Sequence, residues 1–281
     1  MSVIDKGLQN SEVTGFDTDT IIDGLTLFDD ALMGLVFDRN IAAAKLILRI
    51  ILDRNIRVES VRGQEELRNP LVGGRNIRLD VHAIDENGEH INIEVQNGSD
   101  GAHVRRARFH SSALDVRMLK EKQPFQKLRD SYVVFIYNGD KFRKGLPAYH
   151  IDRRIQETGK PFEDGSHIIY VNGKYRGNDE LGQLMRDFSC TDSADIHYRE
   201  LADGVSHFKD TEEGRQDMSD ALNKLVNLTK ADAVKKIMEN MRVSMEEALD
   251  ALCIQGKERK IIATMVRNQQ KTAEAVSAEK S

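Results

Sequence analysis

Asp80 and Glu94 are the two residues of this chain whose type and spacing point most clearly to chemistry. They lie on two short segments, 77–83 and 90–96, in which apolar and polar residues alternate as in half-buried β-strands. We therefore predict a β-hairpin with both carboxylates on its polar face. Its apolar face would contain Ile77, Leu79, Val81, Ala83, Ile91, Ile93 and Val95.

The register of this hairpin follows from matching its two faces. A three-residue loop, 86–88, with Gly88 in the left-handed conformation, places Asp80 opposite Glu94 and His82 opposite Asn92. Like charges opposite each other on a sheet are unfavourable by roughly 0.2–1 kcal/mol. A divalent cation between the two carboxylates makes the arrangement favourable, and Mg²⁺ and Mn²⁺ prefer carboxylate oxygens. The pair therefore favours a metal site, and a solvated strand face is the alternative.

Composition sets the broad class of the protein. With 281 residues, 31% of them charged and 40% hydrophobic, the chain is typical of soluble proteins that bury a full core. Its two cysteines, Cys190 and Cys253, are far apart, which argues against a disulfide framework or a zinc site and indicates a cytoplasmic location. The longest apolar stretch, 41–52, contains Lys45 and Arg49, so we expect no membrane segment. The net charge of −5 does not indicate nucleic-acid binding, so a local basic patch must provide it.

The order of predicted elements indicates an α/β or α+β fold with a mixed central sheet flanked by helices. Helical periodicity begins near Thr26, and Asn40 is expected to cap a second helix. From residue 190 onward the chain is predicted to be helical, with a capping box formed by Ser244 and Glu247. The predicted helices are 41–53, 101–121 and 179–188, and the predicted strands are 56–61, the two hairpin arms, 132–137 and 167–171.

Taken in order along the chain, several motifs resemble one nuclease superfamily. Asp80, the turn at 85–88 and the segment 93–96 (Ile-Glu-Val-Gln) resemble the core of the PD-(D/E)XK nucleases. More narrowly, the chain is similar to their Rpn-type branch of recombination-promoting nucleases or putative transposases. The likeness covers roughly residues 26–190. It includes an opening acidic helix with Asp30, a helix at 105–110 (Arg-Arg-Ala-Arg-Phe-His) similar to Arg-Ala-x-Tyr-Tyr, the strand at 132–136, and the loop from Asp140 to Tyr149.

This resemblance implies a restriction-endonuclease-like core at 26–190. The other expected regions are a loosely ordered segment at 1–25, a helical region at 191–270 and a flexible tail at 271–281. The resemblance also implies a Mg²⁺-dependent site, with Mn²⁺ as a plausible substitute. Asp80 and Glu94 would bind the metal, the backbone carbonyl of Val95 would add an oxygen, and Asp30 would be an outer ligand.

Two positions depart from the motif of the superfamily. Leu79 stands where a proline is usual, which removes no catalytic group. Gln96 stands where a lysine is usual. An amide can orient water or donate to phosphate, but it supplies no charge and no practical base. His82, on the same polar face, can donate to phosphate or shuttle a proton, and the alternative is an ordinary surface histidine.

The segment 103–130 contains the basic residues that DNA binding requires. On a helical wheel, Arg106, His110, Arg117 and Lys120 share a side away from an apolar stripe of Val104, Ala107, Leu114 and Met118. We predict that these basic residues and Arg105 contact the DNA backbone, with Arg106 supported by the family motif. A solvated helix face is the alternative.

Two functions follow from these expectations. The first is a metal-dependent DNA endonuclease of the PD-(D/E)XK type, associated with transposition or recombination, in which Asp80, Glu94, Gln96 and Asp30 form the catalytic set. The second is a catalytically weak or inactive protein of the same fold that binds DNA or a partner protein. The helical region after residue 190 can pack on the nuclease core or form a homodimer interface.

Overall fold

The computed structural model describes residues 18–67 and 76–278. Three helices come first, and a six-stranded sheet with one inserted helix follows. Five further helices complete the described chain. In order, the elements are α1 (Thr18–Gly24), α2 (Asp30–Phe37), α3 (Ile41–Leu52), β1 (Val58–Leu67), β2 (Ile77–Asp85), β3 (His90–Gln96), α4 (Val104–Met118), β4 (Ser131–Tyr137), β5 (Ala148–Ile151), β6 (Ser166–Asn172), α5 (Glu180–Asp187), α6 (Arg199–Asp210), α7 (Glu212–Met241), α8 (Met245–Ala251) and α9 (Gly256–Ala278).

The sheet is mixed, as the sequence predicts. Its strand order is β1-β2-β3-β4-β6-β5. The β1–β2–β3 part is antiparallel, β3, β4 and β6 are parallel, and β5 pairs with β6 antiparallel. The connection from β3 through α4 to β4 therefore joins two parallel strands. The predicted α/β class with a central sheet and flanking helices is confirmed.

Helices cover both faces of the sheet and create two apolar cores. The first core lies under α2 and α3 and includes Leu32, Ile47 and Val134. The second lies under α4 and includes Leu114 and Phe135. Each buried aliphatic or aromatic side chain of this kind contributes about 1.5–3 kcal/mol by leaving water. Residues 133–136 of the central strand β4 are all apolar, because their side chains are buried on both faces of the sheet.

The prediction of a single apolar face for the hairpin is wrong in one respect. Ile77 and Leu79 pack in the core under α4, whereas Val81 and Ala83 pack in the core under α2 and α3. The side on which the apolar residues of β2 are buried therefore changes around Asp80. Sequence alternation cannot report this change, because both faces of the sheet are covered by helices.

Helices reach into both segments for which the sequence predicts loose order or flexibility. The helix α1 lies within the segment 1–25, and its Ile22 is buried, while residues 1–17 lie outside the described part. The helix α9 continues to Ala278, into the predicted tail. Leu201 and Val205 of α6 belong to the first core, so α6 packs on elements that precede residue 191. A separate cluster joins α7, α8 and α9, and no described helix is long and apolar enough to cross a membrane.

Candidate active site

The turn of the hairpin has the predicted geometry. Gly88 adopts a φ of +74°, and the backbone N–H of Asp85 donates to the carbonyl of Glu89 across the three-residue loop. In the antiparallel ladder, His82 pairs with Asn92 and Val81 with Ile93. The predicted register is therefore confirmed, and its continuation places Asp80 beside Glu94.

Asp80 and Glu94 meet where β2 and β3 separate. The backbone N–H of Asp80 donates to Glu94 Oε1 at 3.3 Å, and the N–H of Val95 donates to Asp80 Oδ2 at 3.0 Å. Carboxylate oxygens thus take the place of carbonyl acceptors in the ladder. Both side chains are buried, with Asp80 at 4% and Glu94 at 0% exposure. The structure brings the two predicted metal ligands together, with the backbone of Val95 beside them.

The crowding of negative charge at this point perturbs Asp80. Burial raises the pKa of its carboxyl well above the ordinary value, and the negative charges of Glu94 and Asp30 raise it further. The hydrogen bond from Val95 and the positive charge of Arg106 oppose this increase in the pKa but do not cancel it. A buried carboxyl group with a raised pKa beside another carboxylate is typical of functional sites.

Arg106 contacts the residues of the carboxylate pair directly, and its predicted contact with the DNA backbone stays a prediction. Its Nη2 donates to Glu94 Oε2 at 2.6 Å, and its Nη1 donates to Gln96 Oε1 at 3.3 Å and to the carbonyl of Gly101 at 3.2 Å. A side chain at Gly101 would collide with Gln96, since an added Cβ would lie 1.9 Å from Gln96 Oε1. Arg106 therefore holds Glu94 and Gln96 together, and its side chain, 34% exposed, is engaged within the site.

His110 does not lie on the basic face that was predicted for α4. It is 2% exposed, so it cannot be an exposed DNA contact as predicted. Its Nε2 accepts from Arg106 Nε at 3.3 Å, and its Nδ1 lies 3.0 Å from Asn92 Nδ2 and 3.4 Å from Glu94 Oε1. The physical reason is that positions 107, 110 and 114 share the buried face of the helix. Val104, assigned to the apolar stripe, is 51% exposed instead.

The other predicted DNA contacts lie on or beyond the outer side of α4. Arg105 and Arg117 are exposed on the helix. Lys120 is also exposed, but α4 ends at Met118, before the predicted limit of 121. These positions do not form one row with Arg106 and His110, because those two side chains turn toward the sheet.

Asp30 lies near the carboxylate pair without bonding to it. Its Oδ2 accepts from Arg78 Nη2 at 2.8 Å, and its Oδ1 accepts from Gln64 Nε2 at 3.1 Å. Its charge nonetheless contributes to the raised pKa of Asp80. The structure therefore places Asp30 close enough to act on Asp80 by its charge, and its role as an outer metal ligand stays a prediction.

His82 is not an ordinary surface histidine. It is buried, with its Nδ1 2.6 Å from Glu65 Oε2 and its Nε2 3.1 Å from His90 Nδ1. Burial, together with the proximity of His82, lowers the pKa of His90 to about 4, although Glu65 acts in the opposite direction. This polar cluster occupies both ring nitrogens of His82, which leaves neither for a phosphate.

Asn92 and Tyr170 are two buried polar residues near Glu94 and Arg106 for which no role was predicted. Asn92 is fully buried and donates from Nδ2 to Glu94 Oε1 at 3.0 Å, while its Oδ1 has no partner among the described residues. The buried hydroxyl of Tyr170 likewise has no partner in the described chain. Burial raises the pKa of Tyr170 to about 12, and the charge of Arg106 partly offsets the increase. The position of Asn92, two residues before Glu94 on the same strand face, is a signal that could have identified it.

The donor set fits a hard divalent cation. Asp80 and Glu94 present carboxylate oxygens, and the unpartnered Oδ1 of Asn92 is an oxygen as well. Mg²⁺ is commonly held by one or two carboxylates together with water and substrate phosphate. The described residues contain no group of three or more His, Cys, Asp or Glu side chains arranged to hold a metal. Such a site would therefore depend on this carboxylate pair.

Comparison with known proteins bears on the same residues. Residues 46–174 match the family model described as PD-(D/E)XK nuclease family transposase. This range contains Asp80, Glu94, Gln96 and Arg106, whereas Asp30 lies before it. Neither the curated proteins nor the solved structures gave a match. This match confirms the resemblance that the sequence indicated, and an Rpn-type assignment is consistent with it. Residues 46–174 carry the pattern of the PD-(D/E)XK nuclease family transposases.

Proposed function

We propose that this protein is a metal-dependent DNA endonuclease associated with transposition or recombination. The observation that carries the proposal is the convergence of two buried carboxylates, Asp80 and Glu94, at the point where β2 and β3 separate. PD-(D/E)XK nucleases generally use divalent metals, and a nuclease family implies a DNA substrate. A cation held there offsets the charge of the phosphodiester and acidifies a water molecule.

The residues of the chain have separate tasks in this proposal. Asp80 and Glu94 hold the cation, and the backbone of Val95 fixes the Asp80 carboxylate through its N–H. Arg106 orients Glu94 and Gln96 at once. Gln96 positions water or a phosphate oxygen by hydrogen bonding, since its amide cannot act as a base. Asp30 adds negative charge beside the pair and thereby favours cation binding.

A second candidate is a protein of the same fold that binds DNA or a partner protein without efficient cleavage. The ion pair between Arg106 and Glu94 favours it, because a guanidinium neutralises one of the two carboxylates. The replacement of the motif lysine by Gln96 favours it as well, since no positive charge faces the phosphate at that position.

Plasmid nicking distinguishes these candidates. Supercoiled DNA is incubated with the native chain in Mg²⁺, Mn²⁺ or EDTA, and the Glu94→Gln variant is compared under the same conditions. We expect metal-dependent nicking that Glu94→Gln lowers at least about 100-fold, since loss of even an outer partner of a metal ligand costs 10–100-fold.

The matched control is Glu86→Gln, which makes the same chemical change at an exposed position in the turn of the same hairpin. It should nick DNA at the native rate. Equal nicking by the native chain and by Glu94→Gln would refute the assignment of the site. Absence of nicking by the native chain, with retained DNA or protein binding, would support the second candidate.

A further inference from the structure

The ends of the parallel strands define where DNA can approach the proposed site. Gln96, Tyr137 and Asn172 are in register at the carboxyl ends of β3, β4 and β6. In open α/β sheets, ligands bind outside these carboxyl ends. The segments that follow these strands therefore lie at the same edge of the sheet as Gln96.

The helix α4 runs from this edge to the opposite one. Near its start, Arg106 contacts Gln96. Near its end, Asp115 accepts a hydrogen bond from Ser131, the first residue of β4, at 2.9 Å. Arg117 lies eleven residues after Arg106, which corresponds to about 16 Å along a helix. Arg117 and Lys120 therefore lie at the amino ends of the strands, away from the carboxylate pair.

A different set of cations lies at the correct edge, in the β4–β5 loop (residues 138–147). Asp140 organises this loop by accepting from the backbone N–H groups of Phe142, Arg143 and Gly145 at 3.2, 2.9 and 2.7 Å. Its Oδ1 also accepts from the hydroxyl of Tyr149 at 2.6 Å. These bonds fix the backbone of the loop, including the left-handed conformation of Arg143, whose φ is +55°.

Two contacts tie this loop to the segment that follows Glu94 and Gln96. Lys141 Nζ donates to the carbonyl of Ser99 at 2.9 Å, and Asn138 Nδ2 donates to Asn97 Oδ1 at 2.9 Å. The loop thus lies beside the proposed site. Because Asp140 accepts hydrogen bonds from the backbone of its own loop, its carboxylate faces the loop.

Arg143 and Lys144 are two cationic residues of this loop. Both are exposed, and neither forms an ion pair with any side chain of the described residues. Exposed cations on a fixed backbone suit phosphate binding, because the loop loses little backbone conformational entropy on contact. Such contacts neutralise phosphates without reading the base sequence.

We propose that Arg143 and Lys144 of the β4–β5 loop bind the DNA backbone next to the Asp80–Glu94 site. In this arrangement DNA crosses the carboxyl edge of the sheet, and the C-terminal half of α4 makes no contact with it. The inference rests on the proposed function for its ligand, but it concerns binding and can be measured without cleavage.

The test measures binding of a fluorescently labelled DNA duplex by the full chain in EDTA, by anisotropy at several salt concentrations. The loop variant is Arg143→Asn with Lys144→Gln, in which asparagine tolerates the left-handed backbone. The control is Arg117→Ala with Lys120→Ala, which also removes two charges. Circular dichroism of all three proteins confirms equal folding.

We expect the loop variant to bind at least about tenfold more weakly. We also expect its plot of log affinity against log salt to be shallower by about 2, because each lost phosphate contact removes about 0.9 from the slope. The control should bind within about twofold of the native chain. Native affinity in the loop variant, or a larger loss in the control, overturns the inference while leaving the nuclease proposal intact. Failure of the native chain both to bind and to nick DNA overturns both.

Discussion

Replacement of Asp80 by asparagine should stabilise the metal-free protein while it abolishes DNA cleavage. The carboxamide keeps an oxygen that can accept from the N–H of Val95, so the hydrogen bond at 3.0 Å is retained. What the change removes is a buried negative charge next to Glu94. Active sites that hold like charges together are often less stable than their inactive variants.

The size of the effect follows from the opposing charges. Two like charges at a contact distance of about 4 Å repel by about 4 kcal/mol at an effective dielectric constant of about 20, which is an upper bound for this pair. The positive charge of Arg106 offsets part of this repulsion, while burial of Asp80 adds to it. We therefore expect a net gain of about 2 kcal/mol in the free energy of unfolding, or a Tm increase of about 4–8 °C.

The pH dependence gives a second readout of the same change. The pKa of Asp80 is raised on folding, so the folded state holds this proton more tightly than the unfolded state. Between the unfolded pKa of about 3.9 and the raised folded pKa, this group therefore lowers stability as pH increases. The stability gain from Asp80→Asn should be small near pH 4 and should grow toward neutral pH.

Urea denaturation in EDTA at several pH values measures both effects. Asp30→Asn is the matched control, because Asp30 is paired with Arg78 and its removal should be neutral or destabilising by up to about 1 kcal/mol. Addition of Mg²⁺ should raise the Tm of the native protein but not that of Asp80→Asn. Loss of stability in Asp80→Asn at neutral pH would refute the argument that like-charge repulsion dominates this site.

Three further changes test other parts of the structure. Lys209 is buried and donates to three backbone carbonyl oxygens at 2.6–2.8 Å. Lys209→Met should therefore lower the free energy of unfolding, measured by urea denaturation, by about 2–4 kcal/mol. Lys224→Met, at an exposed position, should lower it by less than about 0.5 kcal/mol. The pKa of His90 is lowered to about 4 on folding. The free energy of unfolding should therefore fall by about 1–2 kcal/mol, after solvent screening, as the pH decreases from about 6.5 to 4. His90→Gln should remove this pH dependence. His110→Phe removes a polar neighbour of Glu94 and should weaken Mn²⁺ binding about 10–100-fold, as measured by calorimetry. His110→Gln should restore part of this affinity. Unchanged affinity in His110→Phe would contradict a role of His110 in orienting Glu94.

Local features of the fold could be predicted from the sequence alone. The side chain of Asn40 accepts from the N–H of Ala43 as a helix cap, and Ser244 with Glu247 forms the predicted capping box. The hairpin register and the left-handed Gly88 were also predictable. These features depend on residues that are close in sequence, so their spacing is sufficient to specify them.

The partners of the charged groups were decided only by tertiary packing. Arg106 was predicted as a DNA contact, and its contact with Glu94 follows only from the packing of α4. His110 was predicted as a DNA contact as well, but it is buried against the sheet. A helical wheel fixes which residues share a side of a helix, but not how that helix is rotated about its axis. The rotation of α4 is set by the fit of Ala107 and Leu114 against β4 and β6, which are distant in sequence. The acidic pair was therefore readable from the hairpin, whereas the groups that surround and orient it required the assembled sheet and helices.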